Sequence, residues 1–501
     1  MQTVASRLLN RQLNKIQALI ETKEEWMEDE YYRKYAPIYD LAKQFLLKQQ
    51  VLLYGGTAIN ELIPKKYRFY RANELPDLDV FSMSAKKLGT KAIRFFQKHG
   101  YDSVSIIEAL HEDSFKCIVS GLTVMDITQV SKSIYRVLAD DKQKTSIGLY
   151  TANPQFLRMT MHTLLSQPND SFRWEKMLKR VLAFYKAFPP KLSCSGLNAL
   201  QPKAGEAPNA LQPKAGEALK VLQPKAGEAP KAGEAPKAGE TKRFRKDPEI
   251  QKYLIKILQE ETLNWVRERN YVVCSMDAWL NLLPSKLADT GMNKILQKLK
   301  GLNENAILPL DILMDIANTD EDPLKEFKRI QKDWMDYLRY AVAKKLLPVD
   351  LKTLKLTMSP LYSKRFTPDH LYIKMDGIPI LGFYKADACL SYMRVDNSLK
   401  ILPDELGASP RIRSEYLRVA TVQTILRLYL QLMLEKHTHK HIPLDRIECM
   451  VNLLTLLSLD SMIKPTHTFL KSFVLTCYGN QPGLVTLKRE RFNRMVKHKT
   501  Q

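Results

Sequence analysis

The residues best equipped for chemistry lie in three short segments, VLLYGGTAINELIP, LPDLDVFS and LTVMDIT. The second holds Asp77 and Asp79 with one residue between them. On a strand, residues two apart share a face, so the two carboxylates stand side by side. Like charges that close repel unless a cation lies between them. The third segment sets Asp126 among apolar strand residues. Three hard oxygen donors on neighbouring strands suit Mg2+ or Mn2+. Two such ions together support an in-line phosphoryl or nucleotidyl displacement.

The first segment runs a short apolar strand into Gly55-Gly56 and then into a helix. A helix start offers free backbone N–H groups and the positive end of a dipole, a favourable place for phosphate. Glycines there keep side chains out of the way, Thr57 can add a hydroxyl, and Asn60 follows one turn on. Gly55, Gly56, Thr57 and Asn60 are therefore the candidate phosphate-binding side of a site whose metal side is Asp77, Asp79 and Asp126. Each piece alone is common, since Gly-Gly marks ordinary turns and D-x-D occurs in solvated loops. The ordered set carries the information.

These residues need a scaffold, and the chain up to about residue 190 alternates suitable elements. EEWMEDEYYRKYAPIYDLAKQFLLKQQ has helical spacing of its apolar residues, VLLY is a short buried strand, and TAINELI is helical. DLDVFS alternates as a strand, AKKLGTKAIRFFQKHG is a helix ending at glycine, and SVSIIEAL, SFKCIVS and LTVMDITQV are strands. Helical sequence returns from Pro154 to Phe188. The order predicts an α/β fold of the α+β type, a small mixed sheet with flanking helices. Residues 199–240 repeat LQPKAGEA and then PKAGEA. A proline and a glycine in every unit break helices and strands alike, and the low apolar content predicts a disordered linker over 191–244. The expected organisation is a catalytic domain over 1–190, this linker, and a second mixed-sheet domain over 245–501 with a helical end and a basic tail.

Taken in order, strand–GGT–helix, then PDLDV, then VMDI resembles the signature of the DNA polymerase β-like nucleotidyltransferases. With FLRMTMHTLLSQPNDSFRWEKMLKRVLAFYKAFP, KADACLSYMRV and RVATVQTILRLYLQLML, the chain is similar to the poly(A) polymerases of nucleocytoplasmic large DNA viruses. The resemblance implies two nucleotidyltransferase-like domains, the second degenerate. It also implies AMP transfer from ATP to RNA 3′ ends with two Mg2+ or Mn2+ ions. By the same token Asp77 and Asp79 would ligate both ions, Asp126 one of them, and Gly55, Gly56, Thr57 and Asn60 would meet the ATP. A homodimer or, as in poxvirus members, pairing with a processivity partner, and work in the host cytoplasm at viral factories or in the virion, are further implications of the resemblance. One departure stands out: 21 positions separate Gly56 from Asp77, so PKKYRFYRANEL must loop out between helix and strand. The degenerate second domain agrees with LPLDILMD, whose Asp311 and Asp315 are four apart, not two.

The bulk numbers fit this reading. Of 501 residues, 77 are Lys or Arg and 54 Asp or Glu, a net charge of +23 that attracts polyanions and argues against a small neutral substrate. Six cysteines, Cys117, Cys194, Cys274, Cys389, Cys449 and Cys477, make no C-x-x-C pair, which predicts reduced, buried thiols. No membrane span or signal peptide is expected. Trp174 with Arg173, Lys176, Lys179 and Arg180, and Arg411, Arg413, Tyr416 and Arg418, are basic-aromatic groups that read as RNA contacts or as plain helix and loop surface. His437, His439 and His441 read better as a loop after a helix than as a metal site. The tail LKRERFNRMVKHK is an RNA-binding arm or a solvated end. Rival functions are a CCA- or U-adding transferase and a non-catalytic RNA-binding scaffold.

Overall fold

The computed structural model describes residues 4–190, 248–275, 309–314, 323–344, 346–347, 351, 356–361, 370–396, 416–434, 444–463, 474–481 and 483–500. The repeat linker, Asp315, Arg411, Arg413 and the three histidines lie outside the described residues. The chain divides into two compact units, one of residues 1–161, 175–189 and 482–501, the other of 162–174 and 190–481. Residues 482–501, read from the sequence as the end of the second domain, thus group with the first unit.

The first unit opens with α1 (Val4–Leu47). The segment EEWMEDEYYRKYAPIYDLAKQFLLKQQ, read as a helix from its sequence, forms the later part of this longer helix. Pro37 lies inside it, where it lacks only one N–H donor of a long ladder. The C-terminal part is the anchored part, with Ile38, Ala42, Phe45 and Leu46 buried. Next come β1 (Leu52–Leu53), α2 (Gly55–Leu62), β2 (Leu78–Ser82), α3 (Ala85–Lys98), β3 (Val104–Glu108), β4 (Ser114–Val119) and β5 (Leu122–Gln129). They are followed by α4 (Lys132–Ala139), α5 (Pro154–Leu165) and α6 (Trp174–Ala187). The strands form one sheet in the order β1-β2-β5-β4-β3. Only β2 and β5 pair in parallel; the other neighbours are antiparallel. Val80, Val124, Ile127 and Cys117 are fully buried. The outward alternation leaves Asp79, Asp126 and Lys116 partly accessible.

The second unit contains α7 (Pro248–Glu268), β6 (Val272–Val273), β7 (Leu310–Met314), α8 (Pro323–Ala343), β8 (Leu356–Leu361), β9 (His370–Met375), β10 (Ile378–Lys385), β11 (Leu390–Asp396) and β12 (Tyr416–Ala420). It continues with α9 (Val422–Leu434), α10 (Leu444–Ile463) and β13 (Cys477–Tyr478). Its sheet has eight strands, ordered β13-β11-β12-β6-β7-β10-β9-β8, with both parallel and antiparallel pairs. Asp376 and Gly377, both at positive φ, make the two-residue turn between β9 and β10. Two mixed sheets with flanking helices match the expected α/β class. One expectation fails: Cys389 and Cys477 form a disulfide beside the β11–β13 pairing. Residues brought together 88 positions apart in sequence leave no spacing signal to read. Cys117 and Cys274 are buried free thiols, as expected. A final helix, α11 (Leu484–Thr500), belongs to the first unit.

Candidate active site

The site grows from the register of β2, β5 and β4. Asp79 is the direct neighbour of Asp126 across the parallel β2–β5 pair. Asp126 in turn faces Lys116 across the antiparallel β5–β4 pair. The three form one row on the outward face of the sheet. Lys116 Nζ donates to both oxygens of Asp126, at 3.0 and 2.8 Å. Asp77 sits one residue before β2 at the exposed rim.

The glycine turn closes over this row. Tyr54 N–H donates to the Asp79 carbonyl at 2.9 Å, and its ring stacks on Phe81 at 3.9 Å. Gly55 then adopts φ +70, and a Cβ there would collide with the Asp79 carboxylate, whose Cγ would be only 2.9 Å away. Both facts demand glycine. A Cβ on Gly56 would collide with the Tyr70 hydroxyl and with the Arg180 guanidinium, its Cζ 2.7 Å away. Thr57 Oγ donates to the Asp77 carbonyl at 2.7 Å, so this hydroxyl holds the first aspartate in place. The start of α2, the acids and a buried arginine therefore meet at one point.

The long excursion between α2 and β2 is an ordered loop. The Asn60 carbonyl oxygen accepts the Phe69 and Tyr70 backbone N–H groups, at 3.0 and 3.1 Å. That amide thus fastens the loop. Arg68 pairs with Glu61 at 3.1 Å, and Arg71 with Glu28 at 2.8 Å. The loop delivers Tyr70, whose hydroxyl accepts from Arg180 Nη2 at 2.9 Å. Arg180, on α6, is buried, lies over the Phe69 ring, and has no hydrogen-bond partner at Nε among the described residues. A cavity of about 450 Å³ lies beside the loop, lined by Tyr39, Thr57, Asn60, Arg68, Tyr70 and Pro76 among others.

The electrostatics are those of an acid cluster short of positive charge. Burial, then the negative charges of Asp126 and Asp77, push the Asp79 carboxyl up to about 7; Arg180 and Lys116 pull the other way. Asp77 is raised as well, by burial and then by Asp126, against Lys116 and Lys176. The donor set, three carboxylates of which Asp77 and Asp79 have raised proton affinity, suits a hard divalent cation. Among the described residues, no three acids, histidines or cysteines are arranged to hold a metal as they stand. The Lys116 ammonium, seated on Asp126, is the positive charge present there, and it must withdraw for a metal to use both oxygens. With that movement the residues fit the ion.

Sequence reasoning identified the acids and glycines and missed Lys116 and Tyr70. Arg180, grouped with Trp174 as an RNA contact or plain helix surface, turns its guanidinium to the glycine turn. Trp174 donates its indole N–H to the Leu164 carbonyl at 3.0 Å. In the second unit Asp311 is buried within β7 and accepts from the Tyr429 hydroxyl at 2.9 Å. Among the described residues, no helix is long and apolar enough to cross a membrane.

Comparisons with known proteins agree with this geometry. Residues 40–171 match the family model described as the poly(A) polymerase catalytic subunit. The proposed poly(A) polymerase catalytic subunit of Acanthamoeba polyphaga mimivirus is 27% identical over 170 residues, 33% of this chain and 28% of that protein. Its counterpart from African swine fever virus (strain Badajoz 1971 Vero-adapted) is 23% identical over 158 residues, 30% of this chain and 33% of that one. The matches thus span about a third of the length of these relatives or less. The crystal structure of the Megavirus polyadenylate synthase superposes with a TM-score of 0.60 at 16% identity, over 100% of this chain and 84% of that one. By sequence over residues 40–171 the chain is similar to the poly(A) polymerase catalytic subunits of large DNA viruses, and in fold it is similar to the Megavirus polyadenylate synthase.

Proposed function

We propose that this chain is a polynucleotide adenylyltransferase that adds AMP from ATP to the 3′ ends of mRNA. The observation that carries the reading is the closure of the Gly55 turn onto Asp79, which sets a phosphate-binding helix start against the Asp79–Asp126 row. In the reaction the RNA 3′-hydroxyl oxygen bonds to the α-phosphorus of ATP, the bond to pyrophosphate breaks, and the hydroxyl proton is released. Asp77 and Asp79, with Asp126, would hold Mg2+ or Mn2+. Such ions supply Lewis-acid activation and charge neutralisation when bound.

The chain's own groups orient the reactants. The α2 N-terminus presents backbone N–H donors and its dipole to the triphosphate, with Gly55 and Gly56 leaving the approach clear. Arg180 adds a fixed positive charge beside Gly56, held by Tyr70. Thr57 and Asn60 act one step back: the first fixes Asp77 and the second fixes the loop bearing Tyr70. Lys116 neutralises Asp126 in the resting site. The net charge of +23 supports a grip on RNA that tolerates any sequence. A homodimer working in the host cytoplasm belongs to the same reading, and sedimentation of the purified protein tests its dimer part.

Incorporation of each labelled ribonucleoside triphosphate onto an RNA primer tests the proposal. ATP should be used, with strict dependence on divalent metal, and D77A/D79A should abolish it. Preference for CTP or UTP points to another RNA-end transferase. No incorporation of any nucleotide by the intact protein points to the RNA-binding scaffold.

A further inference from the structure

The C-terminal helix α11 contributes a surface that the active-site chemistry does not use. It carries Lys488, Arg489, Arg491, Arg494, Lys497 and Lys499 against a single acid, Glu490. One face is docked: Leu487, Arg491 and Arg494, spaced at four and three, are half-buried. Arg494 is the anchor. Its Nε donates to Glu108 at 2.7 Å and its Nη2 to the Leu110 carbonyl at 3.1 Å. The opposite face is open, with Val485 72% exposed, Phe492 65% exposed, and Lys488 and Arg489 exposed between them. A bare aromatic next to paired cations matches the phosphate-plus-stacking chemistry that holds single-stranded nucleic acid.

The position of the anchor gives this face a purpose. Glu108 ends the edge strand β3 and pairs with Phe115 on β4. The next residue, Lys116, faces Asp126 on β5. Successive strand residues point to opposite faces, so the anchor lies two strand spacings, roughly 10 Å, along the sheet from Asp126 and on its other face. The helix is roughly 25 Å long.

We propose that the open face of α11 holds the RNA strand upstream of its 3′ end, with Lys488 and Arg489 on phosphates and Phe492 stacked on a base. This rests on the adenylyltransferase reading for the identity of the strand, and not for the binding itself. Charge selects RNA as occupant: the face is cationic and aromatic with one acid.

The test measures binding of a labelled 20-nucleotide oligo(A) to the full-length protein without ATP, across a salt series. K488A/R489A/F492A should weaken binding at least tenfold and flatten the salt dependence by about 1.4 in log–log slope, the share of two phosphates on a single strand. E490Q should tighten binding a few-fold, a change of sign that a folding defect does not produce. D77A/D79A should bind as the wild type does, so lost catalysis with retained α11-dependent binding refutes the enzymatic reading alone. Unchanged affinity in the triple variant overturns the inference. So does binding to phosphatidylserine vesicles that depends on α11 while RNA affinity does not.

Discussion

Asp79→Asn should make the protein more stable and inactive at once, with the gain set by pH. In the fold the Asp79 carboxyl lies at about 7, against an ordinary value of 3.8. The difference is about three decades in proton affinity at about 1.36 kcal/mol each, or about 4 kcal/mol in all. Because the value in the fold is the higher one, the folded protein binds this proton more tightly than the unfolded chain. The cost is absent below pH 3.8, grows as the unfolded chain ionises, and is complete above about pH 7. The partial access of solvent to Asp79 reduces the recoverable part to about 2 kcal/mol. In a unit of this size that raises the melting temperature by roughly 4–8 °C at pH 8. Melting curves of wild type and D79N between pH 5 and 8 provide the assay. The difference should shrink steadily from pH 8 towards pH 5 without vanishing there, and added Mn2+ at pH 8 should stabilise the wild type and not the variant. A D79N protein less stable than wild type at pH 8, or a difference indifferent to pH, refutes the account of Asp79 as an acid held against repulsion.

Gly55→Ala combines a left-handed φ with a collision at Asp79; we expect a loss of about 1–3 kcal/mol in stability and a fall in nucleotide incorporation of more than a hundredfold, read by melting and by primer extension. Lys116→Met removes the cation on Asp126; Mn2+ affinity, measured by electron paramagnetic resonance, should rise severalfold while the metal-free protein loses stability at pH 8. Asn60→Ala releases two backbone N–H groups of the loop, so the KM for ATP should rise with little change in overall stability, and limited proteolysis should cut near Tyr70.

The acids were legible in the sequence because strand alternation sets Asp77 and Asp79 toward one face, and because Asp126 follows them in an apolar strand segment after the Gly55-Gly56 turn. Gly55-Gly56 was legible as a turn, but its purpose depends on Asp79 arriving beneath it, a tertiary fact. Lys116 was invisible for a different reason: β4 could be recognised as a strand, and nothing in the sequence says which of its residues faces Asp126. Tyr70 and Arg180 are 110 positions apart and meet only through α6. The full length of α1 was not legible, because the apolar spacing of EEWMEDEYYRKYAPIYDLAKQFLLKQQ marks a helix and not where it begins. The disulfide between Cys389 and Cys477 depended on β11 and β13 becoming neighbours.

The row Asp79–Asp126–Lys116 crosses three strands at one height, and the β4–β5 pairing shifts register at Cys117/Ile118, right beside Lys116. A strand that paired one residue out of step would turn its own charge from solvent to core and break the row. Such a misassembled molecule would carry a buried charge that drives it to unfold again. On the adenylyltransferase reading, the residues that make the site therefore also favour correct strand alignment.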